Sequence, residues 1–192
     1  MFRLIASILA LVTLGSCVSS PTAPPSRISD ACAIISERPG WYRAMAQTEA
    51  RWGVPVTVQM ATMYRESKFV GDARTPRKYR LGFIPAGRMS SAYGYAQAID
   101  GTWDWYRDDT GNRRARRDNF ADASDFIGWY MDISNRRNGI AMRDAYRQYL
   151  AYHEGHGGYA RGTYNKKRFL LRAAEEVRQM EARYRAQLAA CL

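Results

Sequence analysis

Apolar residues recur at helical spacing over most of the chain, and the pattern predicts a mostly α fold. Ser29 or Asp30 can cap a short helix that reaches about Arg38 and stops at Pro39-Gly40. A second helix spans Trp41 to Trp52, with Trp41, Met45, Thr48 and Trp52 at helical spacing and Gly53 at its end. Pro55 suits the first turn of a third helix. Between Val54 and Phe69, the residues Val56, Val58, Met60, Ala61, Met63 and Tyr64 surround the axis, which predicts burial on most sides. This stretch closes on Glu66-Ser67. Periodicity is lost from Gly71 to Gly87, where Arg74, Arg77, Lys78 and Arg80 mix with Pro76, Gly82 and Pro85; a basic loop or short hairpin over a cleft is expected. Ser90 to Gln97 reads as a turn of small and aromatic residues. Helices are expected again from Asp100 or Thr102 to near Gly111, over Asp118–Arg137, over Asp144 to about Glu154, and from about Lys166 to the end. The last carries Phe169, Ala173, Val177, Met180, Tyr184, Leu188 and Cys191 at spacings of three and four, which puts Cys191 on the buried side.

The N-terminus follows another pattern. One basic residue, Arg3, precedes an apolar run from Leu4 to Leu14 that is too short to span a bilayer and is shaped like a secretion signal. It ends in Leu14-Gly15-Ser16-Cys17, a lipobox-like sequence that predicts removal of residues 1–16 and a membrane-inserted lipid on Cys17. The alternative is an ordinary cleaved signal with an incidental cysteine. Val18 to Arg27 is rich in Pro and Ser, so residues 17–28 are expected to form a flexible tether and residues 29–192 a single domain. The location implied is the periplasm-facing side of a bacterial envelope; Val18, in place of an inner-membrane-retaining Asp, points to the outer membrane. In that oxidising setting Cys32 and Cys191 can pair and clasp the two ends of the domain, the alternative being two unpaired buried thiols.

With 192 residues, 46% hydrophobic and 12% aromatic, the chain can bury one real core. A net charge of +11 favours an anionic partner: nucleic acid, a membrane surface or an acidic polymer. The basic residues are scattered apart from Arg113, Arg114, Arg116 and Arg117, and no zinc-finger or RNA-binding signature occurs, so nucleic acid is not expected. His153 and His156 stand three apart, with no other histidine and no cysteine left to join them; neither a metal nor a cofactor is expected. A monomer is expected.

Glu66 is the candidate for chemistry. A carboxyl group protonates a leaving oxygen at neutral pH only if its pKa is raised. Placement after an apolar helix desolvates it, and the negative end of the helix dipole disfavours its ionised form. The competing reading is a surface glutamate paired with Arg65 or Lys68.

Glu66-Ser67 with Phe69 resembles the Glu-Ser motif of the soluble lytic transglycosylase (SLT) family, which shares the lysozyme-like fold of the goose-type lysozymes. Gly94-Tyr95-Ala96-Gln97, followed by Ile99 and Gly101-Thr102, is similar to the family's Gly-x-x-Gln turn. Leu150-Ala151-Tyr152-His153-Glu154-Gly155 stands where the family places a Tyr and a Gly around a short turn. The resemblance covers roughly residues 53–158. It departs in the basic insert Arg74–Arg88 and in His153-Glu154, where Asn-Ala is usual. It implies cleavage of the β-1,4 bond between N-acetylmuramic acid and N-acetylglucosamine in peptidoglycan strands, with formation of a 1,6-anhydro ring. Glu66 would be acid and then base. Tyr152 would hold Glu66 or the sugar by its hydroxyl, and Gln97 would line the cleft. Tyr93, Tyr95, Ser67 and Glu154 are further candidates for substrate binding; the competing readings are core packing for the two aromatics, a helix-end role for Ser67 and a solvated turn for Glu154. A lysozyme-type hydrolase would need a positioned water and one of Asp104, Asp108 or Asp109. A non-catalytic glycan-binding lipoprotein is the third reading.

Overall fold

The computed structural model describes residues 22–192. The expected signal segment and Cys17 lie outside the described residues. Helix α3 (Val56–Ser67) runs through the core, and every residue from Val56 to Met63 is buried. Four helices surround it: α2 (Pro39–Trp52), α5 (Phe120–Asn138), α6 (Ala145–Glu154) and α8 (Arg168–Cys191). A helix packed on all sides must also satisfy its polar side chains. Gln59 donates to the carbonyls of Met45 (3.0 Å) and Val54 (2.8 Å) and accepts from the Ser124 hydroxyl (2.7 Å). Ser124 in turn meets Thr48 at 3.0 Å. The network joins α2, α3 and α5 without leaving that amide unpaired. Thr57 donates to Glu181 at 2.9 Å and fastens α3 to α8.

The short α1 (Ala31–Glu37) is capped by Asp30, whose carboxylate accepts from Ala33 N at 2.9 Å. Pro39-Gly40 does not separate α1 from α2 as expected. It opens α2, because a proline in the first turn forfeits no intrahelical hydrogen bond. The break falls on Arg38, with φ −130.

The basic insert is an antiparallel hairpin of β1 (Arg77–Arg80) and β2 (Ile84–Arg88), with Arg80 opposite Ile84 and a bulge between Arg77 and Tyr79. Every residue of both strands is exposed. Helix α4 (Asp100–Thr110), the short α7 (His156–Ala160) and a 3-10 turn (Thr163–Lys166) complete the chain.

Two expectations need correction. The buried face of α8 runs through Leu170, Ala173, Ala174, Val177, Glu181, Tyr184 and Leu188. Phe169 is 55% exposed, and Cys191 stands on the exposed last turn, because a long straight helix drifts off a single stripe at its two ends. Cys191 is nonetheless joined to Cys32 by a disulfide, with their Cα atoms 6.2 Å apart. The tether is also shorter than its composition suggested, since residues 22–28 lie on the domain. Pro25 is buried, Thr22 O accepts from Gly71 N at 2.8 Å, and Ile28 O accepts the Tyr184 hydroxyl. A Pro- and Ser-rich segment still offers carbonyls, and these dock it.

Candidate active site

Glu66 is the last residue but one of α3. The helix stops there because Lys68 and Phe69 both adopt left-handed backbone, with φ 53 and 61. For residues with a Cβ this costs roughly 1–2 kcal/mol each. Tertiary contacts offset the cost. Phe69 is fully buried and stacks on Trp41 with ring centroids 5.9 Å apart, and the Lys68 ammonium sits 3.6 Å over the Tyr64 ring. Arg65 reaches Glu176 at 3.4 Å. Both basic neighbours therefore turn away from Glu66, which has no ion-pair partner among the described residues.

Glu66 is enclosed by protein but open on one side to a cleft of about 440 Å³. Burial pushes its carboxyl up to about 7; hydrogen bonding from Tyr149 and the charge of Arg65 pull the other way and do not cancel it. The cleft is walled by Gln97, Ile99 and Thr102 on one side, Phe126 and Tyr130 of α5, and Tyr152, His153 and Glu154 at the end of α6. Thr75 and Ala92, at the root of the hairpin, form its rim.

A family model described as Transglycosylase SLT domain matches residues 5–191. The chain belongs to this family. No curated protein matches it. The mostly α domain is thus a lysozyme-like SLT domain, and membership carries glycan-cleaving transglycosylase activity on peptidoglycan at the level of the family.

In this SLT domain the turn before α4 is held by backbone. Gly94 (φ 81) donates to Ala73 O at 3.0 Å, and Tyr95 N donates to Arg117 O at 3.2 Å. Gln97, itself at φ 49, donates from Nε2 to Gly94 O (2.8 Å) and Ala73 O (3.0 Å) and lines the cleft. A Cβ on Gly94 would stand 2.1 Å from the Arg117 carbonyl oxygen. Gly94→Ala is therefore expected to lose about 3 kcal/mol or more of stability, from left-handed strain and the forced backbone shift together. Gly101→Ala, in open space on α4, is the control and should gain up to about 1 kcal/mol. Urea unfolding of the two variants measures both; equal midpoints would contradict this account of the turn.

The other candidate residues take several different roles. The Tyr152 hydroxyl donates to Ala96 O at 2.6 Å and so braces the Gly94–Gln97 turn, while its ring packs edge-on against Phe126 and Tyr130. The tyrosine whose hydroxyl addresses Glu66 is Tyr149, 3% exposed and one helical turn earlier on α6. Tyr95 is 1% exposed and lies edge-on to Trp41 and Phe120, so it is core and not a sugar platform. Tyr93 does not line the cleft; Arg74 stacks over its ring at 4.1 Å and its hydroxyl donates to Asp118 at 3.3 Å. Ser67 is buried and donates back to Met63 O at 3.3 Å, which closes the helix end and withdraws it from substrate. Glu154 does line the cleft, yet its carboxylate takes Lys167 Nζ at 2.7 and 2.9 Å and the Thr163 hydroxyl, which hold its pKa low. Sequence reasoning missed Tyr149, Phe126 and Tyr130 as site residues. The signal for Tyr149 was its position three before Tyr152, on the same helical face.

Proposed function

We propose that the protein is a peptidoglycan lytic transglycosylase that cuts the β-1,4 bond between N-acetylmuramic acid and N-acetylglucosamine, with Glu66 as its acid and base. The observation that carries this reading is the state of the cleft's two carboxyl groups. The Glu66 carboxyl is pushed up to about 7 by burial and has no ion-pair partner among the described residues, whereas that of Glu154 is held low by Lys167. Hydrolysis with a second carboxylate would need that group free across the scissile bond. Asp104, Asp108 and Asp109 do not line the cleft. Asp109 instead accepts the Trp129 indole N–H at 2.7 Å, and Asp104 pairs with Arg107.

One carboxyl suffices when the substrate supplies the nucleophile. Glu66 gives its proton to the glycosidic oxygen as the bond to the muramyl C1 breaks. N-acetylglucosamine leaves with a free 4-hydroxyl. The carboxylate then takes the proton of the muramyl C6 hydroxyl as that oxygen bonds to C1. The anhydro ring closes, Glu66 is protonated again, and no water is consumed. Tyr149 fixes the direction in which the carboxyl points, and the aromatic wall of Phe126, Tyr130 and Tyr152 excludes water from the cation-like centre. The net positive charge suits a wall polymer rich in carboxylates, and a lipid on Cys17 would place the enzyme beside it at the outer membrane.

Mass spectrometry of purified peptidoglycan after digestion tests the reading: anhydro-muramyl ends are expected, and hydrated reducing ends would overturn it. The pH profile follows from the same group. The free enzyme must carry the Glu66 proton, so kcat/KM is expected to fall on the alkaline side with an apparent pKa near 7. Rates measured across that range on soluble glycan fragments check this; a flat profile through pH 9 would contradict the acid role.

A further inference from the structure

The hairpin takes no part in the core, and its composition is unlike that of a solvated loop. From Ala73 to Ile99 there is no acidic residue, while Arg74, Arg77, Lys78, Arg80 and Arg88 all fall in this segment. None of the five has a carboxylate partner among the described residues. The tip is apolar. Leu81 is 82% and Phe83 73% exposed, with Tyr79, Ile84 and Met89 also open to solvent. The turn sets Leu81 and Gly82 in left-handed backbone, φ 51 and 80, where Asn or Asp before Gly is the choice suited to water. A leucine there accepts a backbone penalty and presents an unpacked side chain. Apolar tip residues on a hairpin whose cations have no carboxylate partner match the interface of an anionic bilayer, where the tip enters the acyl boundary and the cations meet headgroup phosphates.

A second observation concerns the root of the hairpin. The first described residue, Thr22, is hydrogen-bonded to Gly71, just before the hairpin. Cys17, the expected lipid site, lies a few residues before Thr22 in the sequence. A lipid on Cys17 would therefore hold the chain to a membrane from a point in the sequence close to the contact at the hairpin root.

We propose that the hairpin Arg77–Arg88 is a membrane-contacting element that docks its Leu81–Phe83 tip into an anionic phospholipid surface, next to the cleft whose rim is the hairpin's own root. The proposal is independent of the reaction assigned to Glu66.

The test uses the full chain carrying Phe83→Trp, with the parent spectrum subtracted so that emission reports the tip itself and not the attachment of other segments. Vesicles of phosphatidylcholine with phosphatidylglycerol, bearing brominated acyl chains, should shift this emission to the blue and quench it. Adding Arg77→Gln, Lys78→Gln and Arg80→Gln to the reporter chain should weaken quenching by about tenfold or more in titrated lipid. Separately, Leu81→Ser with Phe83→Ser should keep the parent's urea midpoint, since both side chains are exposed, which shows the fold intact. The proposal is overturned if the emission stays that of a solvated indole on anionic vesicles, or if quenching ignores the charge substitutions. It is equally overturned if peptidoglycan fragments move the emission while vesicles do not.

Discussion

Glu66→Gln is expected to lower turnover on purified peptidoglycan by about 10²–10⁴-fold while leaving glycan binding nearly intact. The glutamine keeps the shape of the side chain and can still receive the Tyr149 hydroxyl, so the cleft should be unchanged. What is lost is the proton for the leaving oxygen and the base for the C6 hydroxyl. The same substitution has a second, opposite consequence. The carboxyl rises from 4.5 to about 7 on folding, so the native state binds the proton more tightly than the unfolded chain. Glu66 thus costs nothing below pH 4.5. Its penalty grows as pH rises through the window from 4.5 to 7, and levels off above the folded value at about 3 kcal/mol. Glu66→Gln should therefore unfold at higher denaturant than the parent at pH 8 and at nearly the same denaturant at pH 4. Loss of activity with no pH-dependent gain in stability would mean that burial does not tune the acid. Retained activity would remove Glu66 from the reaction altogether.

The second large effect is expected at the disulfide. Cys32 and Cys191 are 159 residues apart in sequence, so the bridge closes nearly the whole described domain. Loop-closure entropy for a ring of this size is about 5 kcal/mol. The local packing adds to the sensitivity of this corner. Gln187, on the last turns of α8, accepts from Ala31 N at 2.8 Å and donates to Ser29 O at 3.2 Å, so α1 and α8 are laced together where the bridge sits. Cys32→Ala with Cys191→Ala is expected to lower Tm by about 10–20 °C. Calorimetry of the double variant beside the parent, with and without reductant, measures it. A shift of under a few degrees would show that the contacts of α1 and α8 hold the ends without covalent help.

The helices were legible wherever one face or all faces of the pattern were apolar. The crowded axis of α3 and the long amphipathic run of α5 left little choice, and the Glu66 environment followed from the first of these. The hairpin was legible only as an interruption, because Arg77–Arg80 and Ile84–Arg88 bury nothing and so carry no alternation. Aromatic residues around the turn were the weakest ground. Tyr93, Tyr95 and Tyr152 look alike in sequence, yet one is sandwiched under an arginine, one is core and one borders the cleft. Periodicity assigns a side chain to a helix face, and none of these three roles is a property of a face. Tyr149 was hidden for a related reason. Which of two tyrosines a turn apart meets Glu66 depends on how α6 leans on α3, and that is set by packing partners far away in the chain.

The cystine also decides what a cut chain would be. The exposed hairpin lies between Cys32 and Cys191, so a nick there opens a ring and does not release an end. The two pieces stay one molecule under oxidising conditions, with α3 on one fragment and α5, α6 and α8 on the other. Such a clipped form would migrate as intact protein until reduced, and its acid and its cleft walls would travel together though no longer joined by backbone.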